Sequence, residues 1–211
     1  MEKKIIFLFF ILSSLFIRAS DIDTLKVYSI SMNKLIKNII IIPEKISNKE
    51  PLPVVYLLHG HTDKSDTWLK TVPQIVDYAD KYNVIIVCPD GGYSSWYLDS
   101  PINKKIQYET YISKELIKVV DAKYNTLKIR SGRAITGLSM GGHGAFYLSF
   151  KHQNIWGAAG SISGGLDITP YYPEGGKSRW NLIEALGNQK EFPENWENNS
   201  VINMLDLINE D

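Results

Sequence analysis

The chain has 211 residues, 23 Lys+Arg against 23 Asp+Glu, and 44% hydrophobic residues. This length and composition suit one globular domain with a real core, and the zero formal charge argues against nucleic acid or an anionic membrane as principal partner. The single cysteine, Cys88, excludes an internal disulfide framework and a cysteine-based zinc cluster, and its setting "VIIVCPD" predicts a core thiol.

In chain order, "MEKK" followed by "IIFLFFILSSLFI" predicts a signal peptide over residues 1–20, and the poor cleavage site "IRAS" keeps an uncleaved anchor as the alternative. The apolar run is short for a bilayer span, so no stable membrane insertion is expected after its removal. The protein is then exported, periplasmic or extracellular. "DTLKVYSISM" and "KNIIIIPEKI" predict two early strands, as a hairpin. "PLPVVYLLHG" and "VIIVCPDGG" are apolar runs closed by glycine, the pattern of buried parallel strands. Between them, "TVPQIVDYADKYN" has helical spacing. "YETYISKELIKVVDAKYN" is the clearest amphipathic helix, with Tyr108, Ile112, Leu116 and Val119/Val120 on one side. "RAITG" predicts a strand, "GGHGAFYLSFKH" a helix and "GAAGSISG" another strand. Strands alternating with helices imply an α/β fold, a mostly parallel sheet with helices on both faces. From Thr169 onward, prolines, glycines and Trp180 and Trp196 predict short helices and no further strand.

"G137-L-S-M-G141" fits G-x-S-x-G between a predicted strand and a predicted helix. That spacing makes a turn tight enough to project the serine hydroxyl alone, with small residues admitting the neighbouring chain. Ser139 is therefore the candidate nucleophile, and the following helix N-terminus favours a developing oxyanion. "LLHGHTDKSDTW" follows an earlier strand, where such folds keep the second oxyanion donor. The backbone amides of His61 and Met140 are the candidates. A rival reading takes His59-Gly-His61-Thr-Asp63 as an H-x-H-x-D zinc motif, but Lys64 stands where a further ligand is needed and no second ligand motif follows. No metal or cofactor is expected.

"VVYLLHGHTDKSDTW", "VIIVCPDGGYSSWYLDSP" and "RAITGLSMGGHGAFYLSFKHQNIWGAAGSISGGLD" together resemble the esterase D-like branch of the α/β-hydrolases, over roughly residues 25 to 211. That branch includes S-formylglutathione hydrolases, feruloyl and acetyl-xylan esterases and mycolyltransferases. The resemblance implies a serine hydrolase working through an acyl-enzyme on Ser139, with a small-molecule or glycan ester as substrate. It also implies that Trp96 and Tyr97 touch the acyl or sugar part, the plain alternative being that they pack their loop.

The departure lies in the triad, whose chain order in this fold is Ser, then Asp or Glu, then His. Downstream of Ser139 stand only His143, inside the elbow helix, and His152, about 19 Å along its axis. Neither geometry suits a base, and Asp167, Glu174, Glu184 and Asp206 have no histidine to orient. The family pattern thus expects the acid and the histidine beyond Asp211, with on the order of 50 further residues including the last strands. Three hypotheses follow: a secreted ester hydrolase truncated in this sequence, a hydrolase-like binding protein without turnover, or a chain that does not fold stably by itself.

Overall fold

The computed structural model describes residues 21–44, 50–172 and 180–208, so the predicted signal peptide and Glu174 lie outside the described residues. Among the described residues no helix is long and apolar enough to cross a membrane.

β1 (Asp21–Ser29) and β2 (Lys34–Ile42) form the expected antiparallel hairpin, Ser29 opposite Lys34. β3 (Val54–Leu58) and β4 (Ile85–Pro89) follow, then β5 (Arg133–Leu138) and β6 (Ala158–Ile162). The sheet order is β1-β2-β4-β3-β5-β6. β2 meets β4 antiparallel, whereas β4, β3, β5 and β6 run parallel, each through a helical crossover. β4 is buried at every position, as its β-branched run requires.

One sheet face carries the larger core. Tyr108, Ile112, Leu116 and Val120 pack there beside Tyr147 and Leu148 of α5 (Met140–Lys151). The long amphipathic stretch is α3 (Tyr108–Thr110), a π-helical segment (Tyr111–Leu116) and α4 (Ile117–Lys123). Its wider turn buries Tyr111 as well, whose hydroxyl donates to Asn38 Oδ1 at 2.9 Å under the hairpin. The other face is covered by α1 (Thr67–Thr71) and α2 (Ile75–Tyr82) over Ile39, Ile41, Ile86 and Cys88. Cys88 is a core thiol, and burial pushes its pKa up to about 12. After β6 the described chain holds α6 (Leu182–Leu186), α7 (Pro193–Glu197) and a 3-10 segment (Val201–Leu207), with Trp196 fully buried among them.

Candidate active site

β3 and β5 are neighbours, with Leu58 opposite Gly137, so their C-terminal ends emerge side by side. That edge of a parallel sheet, where loops leave the strand ends, is where α/β folds place ligands. Ser139 sits between β5 and α5 at φ 55°, ψ −114°, a conformation that disfavours any residue with a Cβ. Its backbone is held there from both sides: its amide donates to the Ile162 carbonyl at 2.8 Å, and its carbonyl accepts from the His143 amide at 3.0 Å. The turn closes only because two neighbours lack side chains. A Cβ on Gly137 would stand 2.6 Å from the Gly141 carbonyl oxygen, and one on Gly141 only 2.5 Å from that of Leu58.

The loop after β3 folds against this elbow. A Cβ on Gly60 would come within 3.8 Å of the Ser139 Cβ. The loop is pinned by the Asp63 amide to the Gly60 carbonyl (3.3 Å), the Gly60 amide to Asp63 Oδ2 (3.3 Å) and the Thr62 amide to the Tyr93 carbonyl (2.8 Å). Thr62 takes φ 69° within it. Among the described residues the amides of His61 and Met140 donate to no protein acceptor. Two free amides beside a strained serine are the donors an oxyanion site needs.

Each histidine has a fixed place elsewhere. His59 is buried: its Nδ1–H donates to the Gly60 carbonyl at 2.8 Å, and its Nε2 accepts from the Gly91 amide at 2.8 Å. Burial lowers its pKa, opposed by the Gly60 carbonyl and by Asp90 and Asp63, so it is a neutral tie between the β3 and β4 loops. His61 lies edge-on to Tyr93 and Trp180, at 5.1 and 5.5 Å between centroids, and burial lowers its pKa against the pull of Asp63. His143 is wholly buried; its Nδ1–H donates to the Gly165 carbonyl at 2.9 Å, it stacks on Tyr147, and burial pushes its pKa down to about 4. His152 donates from Nε2 to Glu109 Oε1 at 2.9 Å, which ties the C-terminal end of α5 to α3. Among the described residues none of the four hydrogen-bonds to Ser139.

Two of the candidate acids, Asp167 and Glu184, are engaged locally too. Asp167 Oδ1 accepts from the Thr169 amide and hydroxyl, and Glu184 Oε2 from the Asn181 amide group. No group of three or more metal-ligating side chains converges among the described residues, and His59 and His61 serve the separate roles above.

Trp96 and Tyr97 are placed inside the protein, both at positive φ (53° and 60°). Trp96 packs edge-on to His143 and lies against Tyr171, and its Nε1–H donates to the Trp180 carbonyl at 3.3 Å. The Tyr97 hydroxyl donates to the His59 carbonyl at 3.0 Å, directly beneath the oxyanion loop. Both rings therefore pack the loop rather than line an open surface. The aromatic side chains that flank His61 are Tyr93 and Trp180, which sequence reasoning passed over. Tyr93 sits in the quoted "GGYSSWYLD" and is 65% exposed, a signal that was present but weaker than its neighbours.

The sequence profile of the family described as "Putative esterase" matches residues 29–208. The chain belongs to this esterase family. It is 34% identical over 115 residues to an esterase of Mycobacterium tuberculosis (strain ATCC 25618 / H37Rv), a match covering 53% of this chain and 25% of that protein. It is 30% identical over 125 residues to an acetyl esterase of Caldicellulosiruptor saccharolyticus, covering 59% of this chain and 46% of that one. The esterase-family chain thus spans less than half the length of these curated relatives. Among solved structures it superposes on the serine hydrolase FphF of Staphylococcus aureus with a TM-score of 0.76 at 20% identity, covering 90% of this chain and 73% of that one. A ferulic acid esterase gives 0.72 at 24% identity, covering 91% and 73%. These structural likenesses establish the α/β-hydrolase type of fold.

Proposed function

We propose that the chain is the nucleophile-bearing part of an exported serine carboxylic-ester hydrolase that acts on acyl groups of carbohydrates. The observation that carries the reading is the elbow: Ser139 held at φ 55°, ψ −114° beside the unengaged amides of His61 and Met140. Ser139 Oγ attacks the ester carbonyl, the two amides hold the oxyanion, the alcohol leaves, and water hydrolyses the acyl-enzyme. Deprotonation of Ser139 needs a base, and the reading requires an acid–histidine pair in addition to the residues described, as the family pattern expects. Export rests on the sequence of residues 1–20, and the carbohydrate substrate on the resemblance of the three sequence motifs to feruloyl and acetyl-xylan esterases.

A second reading, a hydrolase-like binding protein, is favoured by one observation: among the described residues none of the four histidines hydrogen-bonds to Ser139. Labelling with a fluorophosphonate and turnover of p-nitrophenyl acetate separate the two. In the full-length protein the first reading expects both, each lost in Ser139→Ala. Turnover unchanged in Ser139→Ala would overturn it, and labelling without turnover would favour the second.

A further inference from the structure

A polar cavity of about 230 Å³ opens on the same rim of the sheet as Ser139. β2 pairs antiparallel with β4, Asn38 opposite Pro89, so Lys34 lies past the C-terminal end of β4, beside Tyr93. The cavity is walled by Lys34, Lys105, Ser94, Ser95, Asn181 and Glu184. A second cavity of about 540 Å³ shares Lys34 and Lys105 and adds Lys104.

Among the described residues lining the two cavities three lysines meet one carboxylate, Glu184, in a chain whose formal total is zero. Among the described residues none of the three lysines is ion-paired. Lys34 is the built member: its ammonium donates to the Tyr108 hydroxyl at 3.0 Å and the Lys105 carbonyl at 3.4 Å, and lies over the Tyr108 ring at 4.7 Å. Those partners are neutral, so the charge is positioned without being neutralised. Burial accordingly lowers the Lys34 pKa, with Asp90 opposing.

Ser94 and Ser95 line the cavity although each is more than nine-tenths buried. Ser95 Oγ accepts from the Tyr97 amide at 3.0 Å and Ser94 Oγ from the Asn181 amide group at 3.2 Å. Neither hydroxyl hydrogen meets an acceptor among the described residues, so both remain available as donors. Glu184, held at 2.6 Å by Asn181, is an acceptor on the same wall and disfavours a dianion.

We propose that this cavity is a subsite for a hydroxylated monocarboxylate, as in an acidic sugar, carried on the alcohol side of the ester. The carboxylate meets Lys34 and Lys105, and the hydroxyls meet Ser94, Ser95, Asn181 and Glu184. Tyr93 connects the cavity to the nucleophile: it lines the cavity, its ring stands 5.1 Å from that of His61, and its carbonyl anchors the Thr62 amide. A ligand seated here therefore extends across Tyr93 toward Ser139. The placement on the alcohol side rests on the esterase reading; the binding itself does not.

The test is a calorimetric or NMR titration of the 211-residue chain with glucuronate, glucose, glutarate and inorganic phosphate. Glucuronate is expected to bind at least about tenfold more tightly than glucose or phosphate, and more tightly than glutarate. Lys34→Gln and Lys105→Ala, the latter at an exposed position that leaves the fold intact, each reduce the glucuronate preference several-fold. Ser139→Ala leaves it unchanged, so loss of esterase activity and loss of this subsite are read separately. Equal binding of glucuronate and glucose, tighter binding of phosphate or glutarate, or a preference that survives both lysine substitutions would overturn the proposal.

Discussion

Tyr97 supports the oxyanion loop from below, its hydroxyl donating to the His59 carbonyl at 3.0 Å while its ring fills the space beside Gly91 and Gly144. The residue is fully buried, so the bond cannot be replaced by water. Tyr97→Phe leaves the His59 carbonyl unsatisfied and is expected to cost about 1–3 kcal/mol. Differential scanning calorimetry should show a Tm lower by several degrees with the fold retained; an unchanged Tm would mean that the loop is held by its other bonds alone.

Ser139 carries backbone strain that glycine would not. At φ 55°, ψ −114° the strain is about 1–3 kcal/mol, against about 0.5–1 kcal/mol of extra chain entropy lost by glycine. Ser139→Gly is therefore expected to raise the Tm slightly while abolishing fluorophosphonate labelling. A lowered Tm would show that the serine side chain contributes more to the turn than its strain removes.

Gly141 meets the Leu58 and His59 carbonyl oxygens, at 2.5 and 2.7 Å from where a Cβ would lie. Both obstacles are backbone, so Gly141→Ala must separate β3 from α5. A loss of more than about 3 kcal/mol, or insoluble expression, is expected, as for overpacking in a tight core. A well-folded Gly141→Ala chain with unchanged denaturation midpoint would refute the close approach.

Two groups, His143 and Glu109, set different acid limits. Burial holds His143 down at about 4 against 6.5, so the folded state binds its proton less readily than the unfolded one. Its contribution is full above pH 6.5 and falls away as pH drops toward 4, by about 3 kcal/mol. Burial raises the Glu109 pKa, but hydrogen bonds from His152, Lys151 and Tyr147 outweigh it and hold it at about 2 against 4.5. Its contribution is full above pH 4.5 and is lost as pH falls toward 2. Urea titrations at stepped pH should therefore lose their pH 6.5–4 slope in His143→Gln and their pH 4.5–2 slope in Glu109→Gln; slopes unchanged by these substitutions would assign acid unfolding to other groups.

Cys88, buried with its thiol pushed up to about 12, should react with Ellman's reagent only in denaturant. Stoichiometric reaction of the native chain within minutes would show that the α1–α2 face opens.

The parallel strands were legible because runs such as "VVYLL" and "IIVCP" bury side chains whatever their neighbours, and the elbow because its glycines answer a local steric demand. The π-helical turn at Tyr111–Leu116 was not, since a one-residue widening leaves the apolar spacing almost intact while admitting Tyr111 to the core. α1 escaped because five residues are too few to show a period. The fates of the histidines depend on contacts distant in sequence, such as His59 with Gly91 and His152 with Glu109, and no local pattern encodes them. For the same reason, Trp96 and Tyr97 stand out by composition and yet face inward, while Lys34 joins Tyr108 only because the sheet brings a hairpin strand beside β4.

The pairing of Leu58 with Gly137 also decides which changes in length the site can absorb. The two halves of the site hang from adjacent strands tied at five successive residue pairs, Val54 with Arg133 through Leu58 with Gly137. An inserted residue inside β3 or β5 would displace one half against the other by about 3.3 Å and turn alternate side chains to the opposite face. An insertion within residues 101–104, beyond the strand ends and past Tyr93 and Tyr97, would leave in place the bonds these two tyrosines make to the oxyanion loop. Loop length around the rim is thus free to vary with the substrate while the reacting centre keeps its dimensions.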